Sequence, residues 1–423
     1  MRVIAFAEKE KVCGLLARRT SGSWEAKEKV AAILRAVRAE GDKAVREYTR
    51  VFDGVELAEL EVSGRELRAA GEEAGEEVIT ALKRMKKNLE RVARAQKPRD
   101  VSVKLPWGEV GVRWTPIERV GVYAPGGRAA YPSTVLMACV PAQVAGVKEI
   151  ILCTPPQKDG RASPLVLAAA QVCGVRRVFK IGGAQAIAAM AFGTKSVPRA
   201  NKIVGPGNVF VTTAKMMARS ESTDIDVPAG PSEVFVIADE RADAEVIALE
   251  LLAQAEHDPS AAAILATPSR RLAERVNAAL ERALEGFPRE DIARAALEKN
   301  SAIVVGSLDK AVAFANEWAP EHLEIIAENA EGIARKVKNA GSIFIGPFSA
   351  VPFGDYNAGS NHILPTSGAA RVFSGVGVWS FLKASYTTRM TRNGAGMLAR
   401  DAALLARKEG FEGHARAMER RLR

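Results

Sequence analysis

The 423-residue chain carries four histidines and four cysteines, and Phe, Trp and Tyr together make up 6% of it. Each shortage excludes something. Cys13, Cys139, Cys153 and Cys173 form no CxxC pair, which argues against a thiolate zinc site and a disulfide framework. They sit in apolar stretches such as LMACV and IILCT, as buried free thiols do in a reducing cytoplasm. No apolar run reaches the length of a membrane span, and MRVIAFAEKEKV is too short in apolar residues for a secretory leader. The sparse aromatics are scattered, whereas a nucleic-acid binder needs aromatic or Arg-rich patches on one face. The chain therefore reads as cytoplasmic, with no membrane or nucleic-acid partner. GxGxxG, HExxH and GxSxG are also missing.

The balance of what is present is ordinary for a globular protein: 48% hydrophobic and 26% charged residues. The length exceeds one ordinary core, so two or more domains are expected. The net charge is +10, but acids and bases interleave, as in AKEKVAAILRAVRAEGDKAVREY, and that pattern makes solvated helix faces. The clear basic cluster is the terminal ARAMERRLR. An anionic cofactor or substrate suits a mild positive field as well as nucleic acid does.

Helical periodicity runs from about residue 23 to 97 and stops at Pro98. Strand and helix patterns then alternate. EIILCTP, RVFKIGG and KIVGPG read as strands, with SPLVLAAAQVCG, AQAIAAMAFG and NVFVTTAKMMARS as helices. A second run starts at SEVFVIAD and passes through AAAILATP, SAIVVGS, HLEIIA and SIFIGP, again with helices between. Such alternation predicts parallel βα units. The fold class expected is α/β, with two incomplete Rossmann-like parallel-sheet domains and helical segments at both termini.

Three Gly-rich stretches each join a strand to a helix: GVYAPGGRAAYPS, IGGAQAI and VGPGNVFVTTAK. Gly126 and Gly127 would let backbone approach a ligand, and the helix start beyond would suit a phosphate. Each loop alone fits an ordinary βα turn equally well. Three in one run suggest a nucleotide crevice at the strand ends. Ser232, in DVPAGPSEVFV, has no nucleophile elbow around it and suits a ligand contact or a turn cap.

The histidines lie beside carboxylates or carboxamides. Gln254 and His257, three apart at a helix end, can share a face. Asp355 and His362 share the Gly-rich loop GDYNAGSNH. Gln, His, Asp and a second His make a nitrogen and oxygen set that suits Zn²⁺, Mn²⁺ or Co²⁺, though each histidine could equally be a hydrogen-bonded structural residue. Glu321 and His322 put an acid and a base side by side at the mouth of a strand, where α/β folds place chemistry. A turn must present both to one pocket, since adjacent extended residues point apart; otherwise Glu321 is a surface charge. Cys153 sits inside a strand with no neighbouring His or Lys to activate it, so it is not expected to be a nucleophile.

Taken in order, GVYAPGGRAAYPSTVLMACVPAQVAGV, GGAQAIAAMAFGT, VGPGNVFVTTAK, PAGPSEVFVIAD, QAEHDP, PEHLEI and GDYNAGSNHILPT strongly resemble the histidinol dehydrogenase family over nearly the whole chain. The resemblance implies two successive NAD-dependent oxidations, from L-histidinol through L-histidinal to L-histidine, the last step of histidine biosynthesis. It implies one zinc ion per subunit held by Gln254, His257, Asp355 and His414, with the substrate on the same metal. His322 matches the general base and acid, and Glu321 the residue that activates water. Ser232 and Glu409 match substrate contacts, joined by Gln254, His257, Glu321, His322, Asp355 and His414. Tyr123, Gln185 and Asn208 match contacts to NAD. The implied assembly is a homodimer with intersubunit active sites. The domains expected are an arm over 1–22, a discontinuous catalytic and metal domain over 23–120 and 234–376, an inserted NAD-contacting domain over 121–233, and a helical tail over 377–423 docked on the partner. A paralogous zinc- and NAD-dependent dehydrogenase of another small alcohol, such as a sulfonated diol, is the nearest rival. Glu409 speaks for histidinol, since an anionic substrate would call for Arg or Lys there. The stretch SGVGVWSFLKASYTTRM carries none of the resemblance.

Overall fold

The computed structural model describes residues 1–10, 24–126, 130–219, 223–228 and 230–422. Cys13 and Gly127 lie outside the described residues. SEVFVIAD forms the strand Glu233–Ala238, buried at every position because helices cover both faces of its sheet. This sheet has six parallel strands, in the order Arg2–Ala5, Ala302–Val305, Ala262–Thr267, Glu233–Ala238, His322–Ile326, Ser342–Ile345. The second sheet has five parallel strands, in the order Arg177–Lys180, Glu149–Thr154, Arg119–Tyr123, Lys202–Val204, Asp224–Ile225. Apart from the added edge strand Arg2–Ala5, both sheets begin in the middle, grow to one side by two strands, then switch to the other side. The doubled Rossmann-like architecture is thus present in the strand order itself.

Three segments differ from the sequence reading. The arm begins as the edge strand Arg2–Ala5, paired with Ala302–Val305. The helices Trp24–Glu40, Asp42–Asp53, Gly64–Ala74 and Glu76–Gln96 pack around the five-stranded sheet, and of 234–376 only Ile363 and Val376 join their buried clusters. Leu82, Met85, Leu89 and Ala93 show why: they form one helical stripe, buried with Val135, Leu136 and Leu167. The tail opens with one 3₁₀ turn, Val378–Phe381, and then runs as the strand Leu382–Met390, antiparallel to Gly108–Pro116, which also pairs with Val101–Leu105. SYTT supplies the aromatic and β-branched residues that favour a strand. Two helices follow, Arg392–Lys408 and Glu412–Arg420, packed on each other around Ala403, Ala406 and Ala415. Met397, Leu404, Leu405 and Phe411 remain exposed on them. Among the described residues no helix is long and apolar enough to cross a membrane.

Candidate active site

Glu321 and His322 turn towards each other, Glu321 Oε2 lying 3.6 Å from His322 Nδ1. Ala319 takes a left-handed conformation (φ 53°) ahead of Pro320 and supplies the required turn. The two side chains are 6% and 4% exposed, so Glu321 is no surface charge. Ser232 Oγ donates to Glu321 Oε2 at 2.5 Å, and the Glu233 amide donates to the same oxygen at 2.9 Å. The mouth is the amino end of the strands Glu233–Ala238 and His322–Ile326, not the carboxyl end that ligands favour in open α/β sheets.

His322 Nδ1 lies 3.0 Å from the Glu233 carbonyl oxygen. A carbonyl only accepts, so Nδ1 carries the hydrogen and Nε2 keeps its lone pair. Nε2 is buried without a hydrogen-bond partner, 3.8 Å from Asp355 Oδ1. Burial pushes the imidazole pKa below its ordinary value, and the Asp355 charge opposes that shift. The Glu233 carboxylate holds this corner: Oε2 accepts from Trp318 Nε1 at 3.0 Å, and Oε1 from the Ser367 amide at 2.7 Å.

Gln254 ends the helix Ala244–Ala255, buried, with its Nε2 lacking a partner. His257 follows one turn later. The residue is exposed in this chain, but desolvation by the protein around its ring, followed by the influence of His322 and Arg289, lowers its pKa to about 4. Asp355 ends the short helix Val351–Asp355 rather than lying on a loop. Burial raises its pKa to about 6; His322 pulls it down, while Glu321 and Glu250 push it up. The chain thus offers the Gln254 carboxamide oxygen, an unprotonated His257 imidazole and the Asp355 carboxylate, donor types that fit a borderline divalent ion. Among the described residues no three His, Cys, Asp or Glu gather as ligands, so His414 does not join His257 and Asp355 within one chain. Glu409 and His414 are exposed on the tail helices.

His362 is engaged elsewhere. Nδ1 donates to the Asp355 carbonyl at 3.1 Å, and Nε2 lies 3.1 Å from Thr134 Oγ1. With both nitrogens taken, it braces the loop that joins the two sheets' units. Asn361 Nδ2 adds a bond to the Met137 carbonyl at 2.7 Å. Thr134 lies near the start of the helix that follows the Tyr123 strand, at the carboxyl edge of the five-stranded sheet. The amino edge of one sheet therefore faces the carboxyl edge of the other.

At that carboxyl edge the three Gly-rich loops meet. Tyr123 ends the strand Arg119–Tyr123, and its hydroxyl accepts from the Gly183 amide at 3.1 Å. Gln185 follows in Gly183–Phe192, fully buried, with both amide atoms lacking partners. Asn208 caps Val209–Ala218, its Oδ1 accepting from the Phe210 and Val211 amides. The Tyr123 and Lys202–Val204 strands flank the point where the strand order reverses, the place open α/β sheets hold dinucleotides.

A family model described as histidinol dehydrogenase matches residues 16–422. The chain belongs to the histidinol dehydrogenase family. It is 49% identical over 405 residues to the histidinol dehydrogenase of Methanosarcina mazei, covering 95% of this chain and 93% of that one. It is 46% identical over 429 residues to that of Methanopyrus kandleri, covering both chains in full. The crystal structure of histidinol dehydrogenase from Elizabethkingia anophelis superposes with a TM-score of 0.94 at 38% identity, over 100% of this chain and 97% of that one. As a histidinol dehydrogenase family member, the chain is an NAD-dependent dehydrogenase. Sequence reasoning missed Glu233, Thr134 and Glu324. Glu233 and Glu324 had a signal: each is the single acid of its mainly apolar strand, EVFVIA and HLEII. Thr134 had none.

Proposed function

We propose that this enzyme oxidises L-histidinol through L-histidinal to L-histidine in the pocket of Ser232, Glu321 and His322. The observation that carries the reading is the neutral His322, whose unpartnered Nε2 lies 3.8 Å from Asp355 Oδ1. In the first oxidation His322 Nε2 takes the hydroxyl proton while a hydride passes to NAD⁺. One water then adds to the aldehyde: Glu321 accepts a proton from it while His322 returns its own to the carbonyl oxygen, leaving a hydrate and a neutral imidazole. The hydrate gives a second hydride to a second NAD⁺ and its hydroxyl proton to His322. Four electrons leave in two pairs, and one water oxygen enters the product. The low pKa of a buried imidazole keeps the base form available at neutral pH.

Gln254, His257 and Asp355, with His414 of the partner subunit, would hold one zinc ion per subunit. Bound there, the metal would hold the substrate's amino and imidazole nitrogens and so orient it. Ser232 and the partner subunit's Glu409 would hold the substrate, a carboxylate being suited to a cationic imidazole or ammonium. Tyr123, Gln185 and Asn208 would line the NAD crevice. The buried amide of Gln185 supports this, since a native interior rarely leaves both amide atoms unpaired without a ligand to meet them. The exposed apolar residues of the tail support a homodimer in the cytoplasm, docked through that segment. The test is stoichiometric: two NADH should form per L-histidinol consumed, with histidine as product. One NADH with accumulating histidinal would sink the proposal.

A further inference from the structure

Beyond these groups lies a buried ion pair with no part in the chemistry. Lys215 and Asp226 are 1% and 0% exposed and in direct contact. Both hold Gly205. Lys215 Nζ donates to the Gly205 carbonyl at 2.8 Å, and the Gly205 amide donates to Asp226 Oδ2 at 2.7 Å. Gly205 (φ +126°) is pressed so closely on the Tyr123 backbone that a Cβ there would overlap the Tyr123 carbonyl oxygen. Three residues later Asn208 caps the helix that carries Lys215.

We propose that Lys215 and Asp226 are positioning residues that lock the Gly205–Asn208 turn in its cofactor-binding geometry before NAD arrives. The proposal rests on the reading that Tyr123 and Asn208 contact NAD. Its physical basis is that each charge grips one polar group of a single residue, which fixes how the backbone runs through Gly205. The charges reach it from two elements, the helix after the turn and the segment just past the edge strand Asp224–Ile225. A buried ion pair contributes little net stability compared with an apolar pair, so geometry is the better account of its presence. A loop ordered in advance also spares the cofactor the entropy of ordering it.

The experiment compares Asn208→Ala with the double variant Lys215→Met/Asp226→Leu, which leaves neither charge buried alone. The readouts are KM for NAD⁺ and L-histidinol in turnover, and Kd for NADH by fluorescence titration. The double variant should raise the NAD⁺ KM and NADH Kd at least tenfold, with the L-histidinol KM within twofold of wild type. A folded double variant with unchanged cofactor constants overturns the clamp, provided Asn208→Ala does weaken NADH binding. If Asn208→Ala changes nothing, the cofactor reading of the loop falls and takes the clamp with it. Should the double variant not fold, amide exchange in the wild type decides. The Gly205 amide should exchange slowly without cofactor; fast exchange slowed only by NADH would overturn the proposal.

Discussion

The hydrogen on His322 sits where the Glu233 carbonyl puts it, and reactivity at the other nitrogen follows. His322→Ala should lower kcat by roughly 10²–10⁴-fold, the usual contribution of a general base, while L-histidinol binding by calorimetry stays within a few-fold. Equal losses in kcat and binding would show that the ring holds substrate rather than protons. Cys153 makes the opposite case. It is fully buried, and burial pushes its thiol pKa far above the ordinary range. Cys153→Ala should keep most activity in both oxidations. A variant that consumes histidinol but cannot oxidise histidinal would revive a thiohemiacetal mechanism. The sequence showed Glu321 and His322 as neighbours, and family motifs suggested their roles. It could not show Glu233 as the orienting group, because that contact spans 89 residues and uses a backbone oxygen. Nor could it show that both nitrogens of His362 are engaged, since Thr134 lies on the other sheet's unit.

Among the elements, the strand His322–Ile326 carries a buried carboxyl two residues after its base. Glu324 is 1% exposed, its Oε2 has no partner, and burial next to Glu250 raises its pKa to about 9. The folded chain therefore keeps this proton, while the unfolded chain releases it above the ordinary carboxylate pKa. Folding stability from this group is full below about pH 4.5 and is lost as pH rises towards about 9. Glu324→Gln keeps the shape and removes the titration. Its melting temperature relative to wild type should climb between pH 5 and pH 9, and a constant difference would refute the assignment. Alternation of apolar runs made the buried inner strands of both parallel sheets and their helices legible, because fully buried parallel strands and their helices leave a strong pattern. Edges were not legible. Periodicity says that HLEIIA is a strand but not which of its ends meets the ligand. The strand Leu382–Met390 escaped because a mostly exposed antiparallel edge leaves little apolar signal.

For the whole molecule, the tail is the informative part. His414 is exposed and joins no ligand cluster among the described residues of its own chain. If tails act across the dimer, mixing inactive His257→Ala and His414→Ala under subunit exchange should restore about a quarter of wild-type activity. Half of randomly paired dimers would be mixed, each with one intact site. A mixture that stays inactive despite proven exchange would place the tail in cis. The opposed sheet edges have a further consequence. Within one chain, the groups proposed to grip the amino alcohol belong to the six-stranded sheet's unit, and those proposed to hold NAD belong to the other. Spent cofactor can leave by its own door while the half-oxidised molecule stays clamped behind it. Histidinal should then never mix with the bulk. In a chase with excess unlabelled histidinal, label from histidinol should reach histidine undiluted; dilution would mean that the two doors open together.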